Sequence, residues 1–171
     1  MRIPPQGAHQ TGLGPNILYS GDYSASTLKG DTLILGKARL VLTSGLDMTT
    51  QDSIAMSSGG TIEMFVDGKS IGITGKGVAN QSGKPSDFVL YCTPNVTDIK
   101  ISGNATLVGL LAAPKAKLTL NGGGKDDQDF CGVAMVDSLK MNGGFKFHYD
   151  KALAGLGGNG RFLISSWNEI Q

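Results

Sequence analysis

The one cluster of titratable residues with the types and spacing for catalysis is His148-Tyr149-Asp150. Residues two apart on a strand share a side, so the imidazole and the carboxylate could act as a general acid–base pair or as half a metal site. No third partner is visible. A plainer expectation is that Asp150 caps a helix, Tyr149 packs, and His148 sits on the surface of the last rung. A second cluster, Asp126, Asp127 and Asp129, follows Gly122-Gly123-Gly124, loosely in the manner of calcium-binding Gly-Asp nonapeptides. Those repeats need strict offsets in consecutive copies, and here a single degenerate copy holds Lys125 inside it. A solvated loop is expected, with a surface calcium as the one ion the pattern admits and no other cofactor. Gly155-Leu-Gly-Gly-Asn-Gly160 imitates a dinucleotide fingerprint but lacks the βαβ context that would make it one.

The composition narrows what can position these residues. The chain has 171 residues, enough for one domain with a proper core. Its 15 basic and 14 acidic residues nearly cancel, and the lysines are scattered, which argues against a nucleic-acid partner. Charged residues are only 17% of the chain while Gly occurs 26 times, about twice its usual share, which suggests a turn-rich β protein. No apolar run is long enough to span a bilayer, and the first residues, Met1-Arg-Ile-Pro-Pro-Gln6, lack the apolar core of a secretory signal. Either a cytoplasmic protein or a piece without its targeting segment fits.

Residues 1–21 read as a linker or extended arm, rich in Pro and Gly and without period. From residue 22 onward one phrase recurs: apolar-x-apolar, small polar residues, then Gly. It appears as Leu33-Ile-Leu-Gly36, Ile54-Ala-Met-Ser-Ser-Gly59, Ile71-Gly-Ile-Thr-Gly75, Ile99-Lys-Ile-Ser-Gly103, Leu118-Thr-Leu-Asn-Gly122 and Leu139-Lys-Met-Asn-Gly143, at intervals from 17 to 28 residues. Alternation with period two marks a strand with one buried face, and Gly supplies the corner. Short strands and Gly corners at this interval predict a single right-handed parallel β-helix of about six coils over residues 22–171. In it Leu33, Ile54, Ile71, Ile99, Leu118 and Leu139 stack in one inward column, leaving Ile34, Ala55, Gly72, Lys100, Thr119 and Lys140 outward.

A second strand per coil superposes without gaps as Phe88–Pro94, Val108–Pro114 and Cys131–Asp137. That register points Phe88, Val108 and Cys131 inward with Leu90, Leu110, Val133, Cys92, Ala112 and Met135. It points Val89, Tyr91, Gly109, Leu111, Gly132 and Ala134 outward. The cysteines, two coils apart, are then too distant for a disulfide and are expected as free, buried thiols. A polysaccharide-active β-helix would carry charged residues on neighbouring coils of one outer face, and the two strands aligned here show no such set. Cap elements are expected from about residue 148: a short helix from Asp150 to Gly157, then a final strand over Arg161–Ile170 with Trp167 covering the last coil.

Ala112-Ala-Pro114, Cys131-Gly132, His148-Tyr-Asp-Lys-Ala-Leu153 and Ser166-Trp-Asn-Glu169 give the C-terminal part a resemblance to a domain at the end of bacterial PilX-type pilus-assembly proteins. The resemblance implies an exported domain on the cell surface or in the periplasmic envelope, carried behind a pilin-like membrane helix that this sequence lacks. It implies no catalytic residue. The expected role is a non-enzymatic structural or adhesive module of a type IV pilus-like system, partnered by a protein of that assembly or by glycan. A bactofilin-like polymer and a polysaccharide-active enzyme are the alternatives. The expected contact regions are the loops 122–129 and 77–86 and the outer face, with Tyr91, Leu111, Asp126, Asp127, Asp129 and His148 as contact residues.

Overall fold

The computed structural model describes residues 16–103, 107–122 and 128–150. The chain winds as a parallel β-solenoid whose turns stack rungs on three faces. β1 (Asn16–Leu18) and β2 (Gly21–Ala25) begin it; β3 (Thr32–Ile34), β4 (Lys37–Leu42) and β5 (Leu46–Met48) form the next turn. They are followed by β6 (Ser53–Met56), β7 (Thr61–Val66) and β8 (Ser70–Ile73), then by β9 (Gly77–Asn80), a 3₁₀ turn at Pro85–Asp87, β10 (Phe88–Cys92) and β11 (Asp98–Gly103). β12 (Leu107–Gly122) and β13 (Gln128–Asn142) each cross two faces, and β14 (Phe145–Tyr149) lies on the start of β13.

Three ladders result. The first face is β1-β3-β6-β9; the second runs from β2 through β4, β7 and β10 to the early half of β12; the third runs from β5 through β8 and β11 to its late half. β13 continues both of the latter faces, and all these pairs are parallel. The parallel β-helix expected from the repeats is therefore present, with about four turns rather than six coils.

The count differs because the six phrases form two series. Ile71, Ile99, Leu118 and Leu139 do stack, with Leu46 beneath them, on the third face. Leu33 and Ile54 belong to the first face, where Ile54 pairs Thr32 and Leu33 pairs Ala55. There Thr32 and Ile34 point inward and Leu33 outward, reversing the expected frame. Leu33, Ile34 and Leu35 are all apolar, so alternation did not mark a side.

Columns two residues apart fill the tube. Met48, Ile73, Ile101 and Leu120 line up beside the first column, and Leu40, Met64, Leu90 and Leu111 line the second face, all buried. Complete burial of each such side chain contributes roughly 1.5–3 kcal/mol.

The corners are held by polar residues. The amide of Asn142 donates to Oδ1 of Asn121 at 2.6 Å, so the phrase that recurs at these two positions builds one asparagine step of a corner. Gly143 follows at φ +71°, where a Cβ would meet the Gly122 carbonyl oxygen at 2.5 Å. At another corner buried Asp52 accepts from the main-chain N–H of Thr49 (2.7 Å), the Thr49 hydroxyl (2.8 Å) and the Gly30 N–H (2.8 Å). Burial pushes this carboxyl upward, but those hydrogen bonds and nearby Lys29 outweigh it and hold Asp52 below the usual carboxylate range.

Other boundaries move. Asn16–Leu18 pairs β3, so the solenoid starts inside the span read as a linker; a strand of three residues is too short to display a period. The span read as the loop 77–86 opens with β9, whose Gly77-Val-Ala-Asn80 lacks a second large apolar residue. No α-helix occurs among the described residues; the expected capping helix, apart from Asp150, and the final strand lie outside them.

Candidate functional site

The outer surface of the second face carries the densest set of chemically distinctive side chains. In β4 and β7 every second residue is buried, which turns Lys37, Arg39 and Val41, and Thr61, Glu63 and Phe65, to the outside. Parallel register then sets like positions side by side. Asp22 lies beside Arg39 and Arg39 beside Glu63, in one row across three strands. The guanidinium reaches Oε2 of Glu63 at 3.2 Å, with the two side chains 56% and 46% exposed, so the pair contributes at most ~1 kcal/mol. This row, with Gly21, Lys37, Ala38 and Thr61, lines an open depression of about 350 Å³.

A second row, one step along the strands, is apolar: Val41, Phe65, Tyr91, Ala112 and Met135 stand in register across β4, β7, β10, β12 and β13. Val41, Tyr91 and Met135 are among the large apolar side chains that remain exposed. The Phe65 and Tyr91 rings stack at 5.0 Å and 19°, and the Arg39 guanidinium lies 5.7 Å from the Phe65 centroid. Each ring covers its neighbour's face, a spacing set by the ~4.8 Å between strands. A sugar-stacking platform presents ring faces to solvent; this row presents edges, together with aliphatic side chains suited to a protein surface.

The second cluster is at the end of the tube. β14 pairs β13 so that His148 is beside Cys131 and Lys146 beside Asp129. Nε2 of His148 lies 3.4 Å from Oδ1 of Asp129, an oxygen turned away from water and without a hydrogen-bond partner. At that length the contact is an ion pair only when His148 is protonated. Burial, with Asp150 and Asp129 nearby, pushes the Cys131 thiol up, the opposite of what a nucleophilic thiolate needs. Cys92, which follows the inward positions Phe88 and Leu90, is pushed up by burial to about 12. Among the described residues no three His, Cys, Asp or Glu side chains gather closely enough to hold a metal ion.

The structure thus separates the expected contact residues. Tyr91 is on the outer face as expected, and Asp129 and His148 are brought together. Leu111 is corrected: it is 2% exposed and faces the core beside Leu90. The gapless superposition was one residue out, because Val89 pairs Leu110 and so sets Phe88 against Gly109. Val108 and Cys131 therefore face outward and Gly109, Leu111 and Gly132 inward; a one-residue slip inverts every side chain. The ring of Phe88 fills the room left at Gly109, where a Cβ would lie 2.6 Å from Cδ1 of Phe88. Both cysteines are free as expected, but both are half-buried and Cys131 is on the outside. Asp126 and Asp127 lie outside the described residues, as does the loop's centre at 123–127.

Arg39, Glu63 and Phe65 were missed in the sequence. Lys37-Ala-Arg-Leu-Val-Leu42 and Thr61-Ile-Glu-Met-Phe-Val66 alternate strictly and superpose at an interval of 24 residues, a signal that lay between the phrases that end in Gly.

No helix among the described residues is long and apolar enough to cross a membrane. Comparison with curated proteins and with solved structures found no match. A family model does match, over residues 8–156, and the chain belongs to that family, described as a domain of unknown function (DUF7305).

Proposed function

We propose that the protein is a non-enzymatic structural or adhesive module of a cell-surface or periplasmic assembly of the type IV pilus-like kind, which docks a protein partner on the outer second face. The observation that carries this reading is the in-register row Val41–Phe65–Tyr91–Ala112–Met135, bordered by the Arg39–Glu63 pair. Exposed apolar side chains in a contiguous row with a charged rim are the composition of a protein interface. The residues that resemble the pilus-assembly domain support the setting: Ala112 stands in this row and His148 on the neighbouring edge strand.

A photo-activated cross-linker at Tyr91 or Met135, in cells making the full-length protein, tests it, with one at Lys100 on the third face for comparison. One discrete envelope-protein adduct from both second-face positions and none from Lys100 is expected. Absence of an adduct, or the same adducts from all three positions, would overturn the reading.

A polysaccharide-active function has one specific observation in its favour, the Asp22–Arg39–Glu63 row beside the open depression. It requires new reducing ends or unsaturated products from acidic glycans, lost on Glu63→Gln.

A further inference from the structure

The corner where Asn142 meets Asn121 carries one local sequence twice. Asn121-Gly122-Gly123 and Asn142-Gly143-Gly144 each place glycine directly after asparagine. That pair is open to a reaction of the chain with itself, because glycine has no side chain to shield its nitrogen from the preceding amide. The main-chain nitrogen of the glycine attacks Cγ of the asparagine and gives up its proton to water. The Cγ–Nδ2 bond breaks, ammonia leaves, and a cyclic imide results. Water then opens the ring at either carbonyl, which gives aspartate or isoaspartate.

Ring closure requires the asparagine to rotate out of the extended conformation of a strand, and here the two copies differ. Asn121 is held on both sides, by Ser102 of β11 and by Asn142 of β13. Gly122 is held as well. It pairs Gly103, and a Cβ on it would lie 2.8 Å from the Phe145 nitrogen and 3.1 Å from that of Gly144. Asn142, by contrast, is the last residue of β13, and Asn142, Gly143 and Gly144 are all exposed. Gly143 stands at φ +71° in the turn that follows, past the last paired position of the β12–β13 ladder. Strand ends open more often than strand interiors.

We infer that Asn142 is a site of spontaneous modification, deamidated through Gly143, while the matching pair Asn121-Gly122 is protected by the ladder. The product loses the Nδ2 donor that reaches Asn121 at 2.6 Å and sets a carboxylate oxygen against Oδ1 of Asn121. Isoaspartate also adds a main-chain carbon just before the turn that leads into β14. The change is one-way, and it acts on the entry to a strand whose Phe145 is buried and whose Phe147 ring stacks on Phe130 at 4.8 Å. It is independent of the docking proposed for the second face.

Peptide mapping by mass spectrometry tests this on the full-length chain, incubated in mildly alkaline buffer with and without guanidinium chloride. In the folded chain, conversion at Asn142 should be faster than at Asn121 by roughly tenfold or more. In the unfolded chain the two should convert at similar rates, because both read Asn-Gly-Gly. Equal rates in the folded chain, faster conversion of Asn121, or no conversion of Asn142 would overturn the inference. So would the same preference for Asn142 in denaturant, since it would then come from neighbouring residues and not from the ladder.

Discussion

The column Leu46–Ile71–Ile99–Leu118 and the row Val41–Phe65–Tyr91–Ala112–Met135 are made by one device, parallel strands in register, and end in opposite environments. The column is sealed from water, whereas Val41, Tyr91 and Met135 in the row are exposed. Both bring like side chains together every ~4.8 Å along the tube. Register alone therefore does not decide stability or function; the side of the strand does. Inside, each rung adds burial to the fold. Outside, the same repetition yields a straight apolar strip that faces solvent.

Substitutions that treat the two alike should separate them. Leu118→Ala opens a cavity in the column and should lower unfolding free energy by about 2–5 kcal/mol, read from denaturant midpoints at unchanged slope. Gly109→Ala, on the inward side of the second face, drives a Cβ to 2.6 Å from the Phe88 ring and should cost about 1–3 kcal/mol. The same exchange at Gly59, with nothing within 4 Å of the added Cβ, should be nearly silent. Asp52→Ala leaves the Thr49 and Gly30 N–H groups without their acceptor and should cost about 1–3 kcal/mol. Because Asp52 is held below the usual carboxylate range, its contribution is present above about pH 4 and lost on further acidification; Asp52→Asn should flatten that part of the stability–pH curve. Tyr91→Ser, on the exposed row, should change stability by less than about 1 kcal/mol while it abolishes the adduct from a cross-linker at Met135.

The same contrast explains what was legible in the sequence. On the third face each rung reads apolar-x-apolar with a polar or small residue between, as in Ile99-Lys-Ile101 and Leu118-Thr-Leu120, so side and register were both visible. On the second face β10 and β12 are apolar on both sides, Phe88-Val-Leu-Tyr and Leu107-Val-Gly-Leu-Leu, and alternation is silent about which side is in. There the pairing is decided by the fit of Phe88 over Gly109, which no linear pattern displays. The Asp129–His148 contact joins residues 19 apart across two strands and emerges only from the β13–β14 register.

The central claim is the in-register stack itself, and Lys100 with Thr119, adjacent outward residues of β11 and β12, reports on it most directly. Oxidation of the Lys100→Cys, Thr119→Cys chain should produce one intrachain disulfide, with Cα atoms about 5 Å apart across neighbouring parallel strands. Moving the second cysteine two positions, Asn121→Cys in place of Thr119→Cys, should abolish it. Efficient closure of the shifted pair and none of the aligned one would contradict the coiled register on which the column and the outer row both depend.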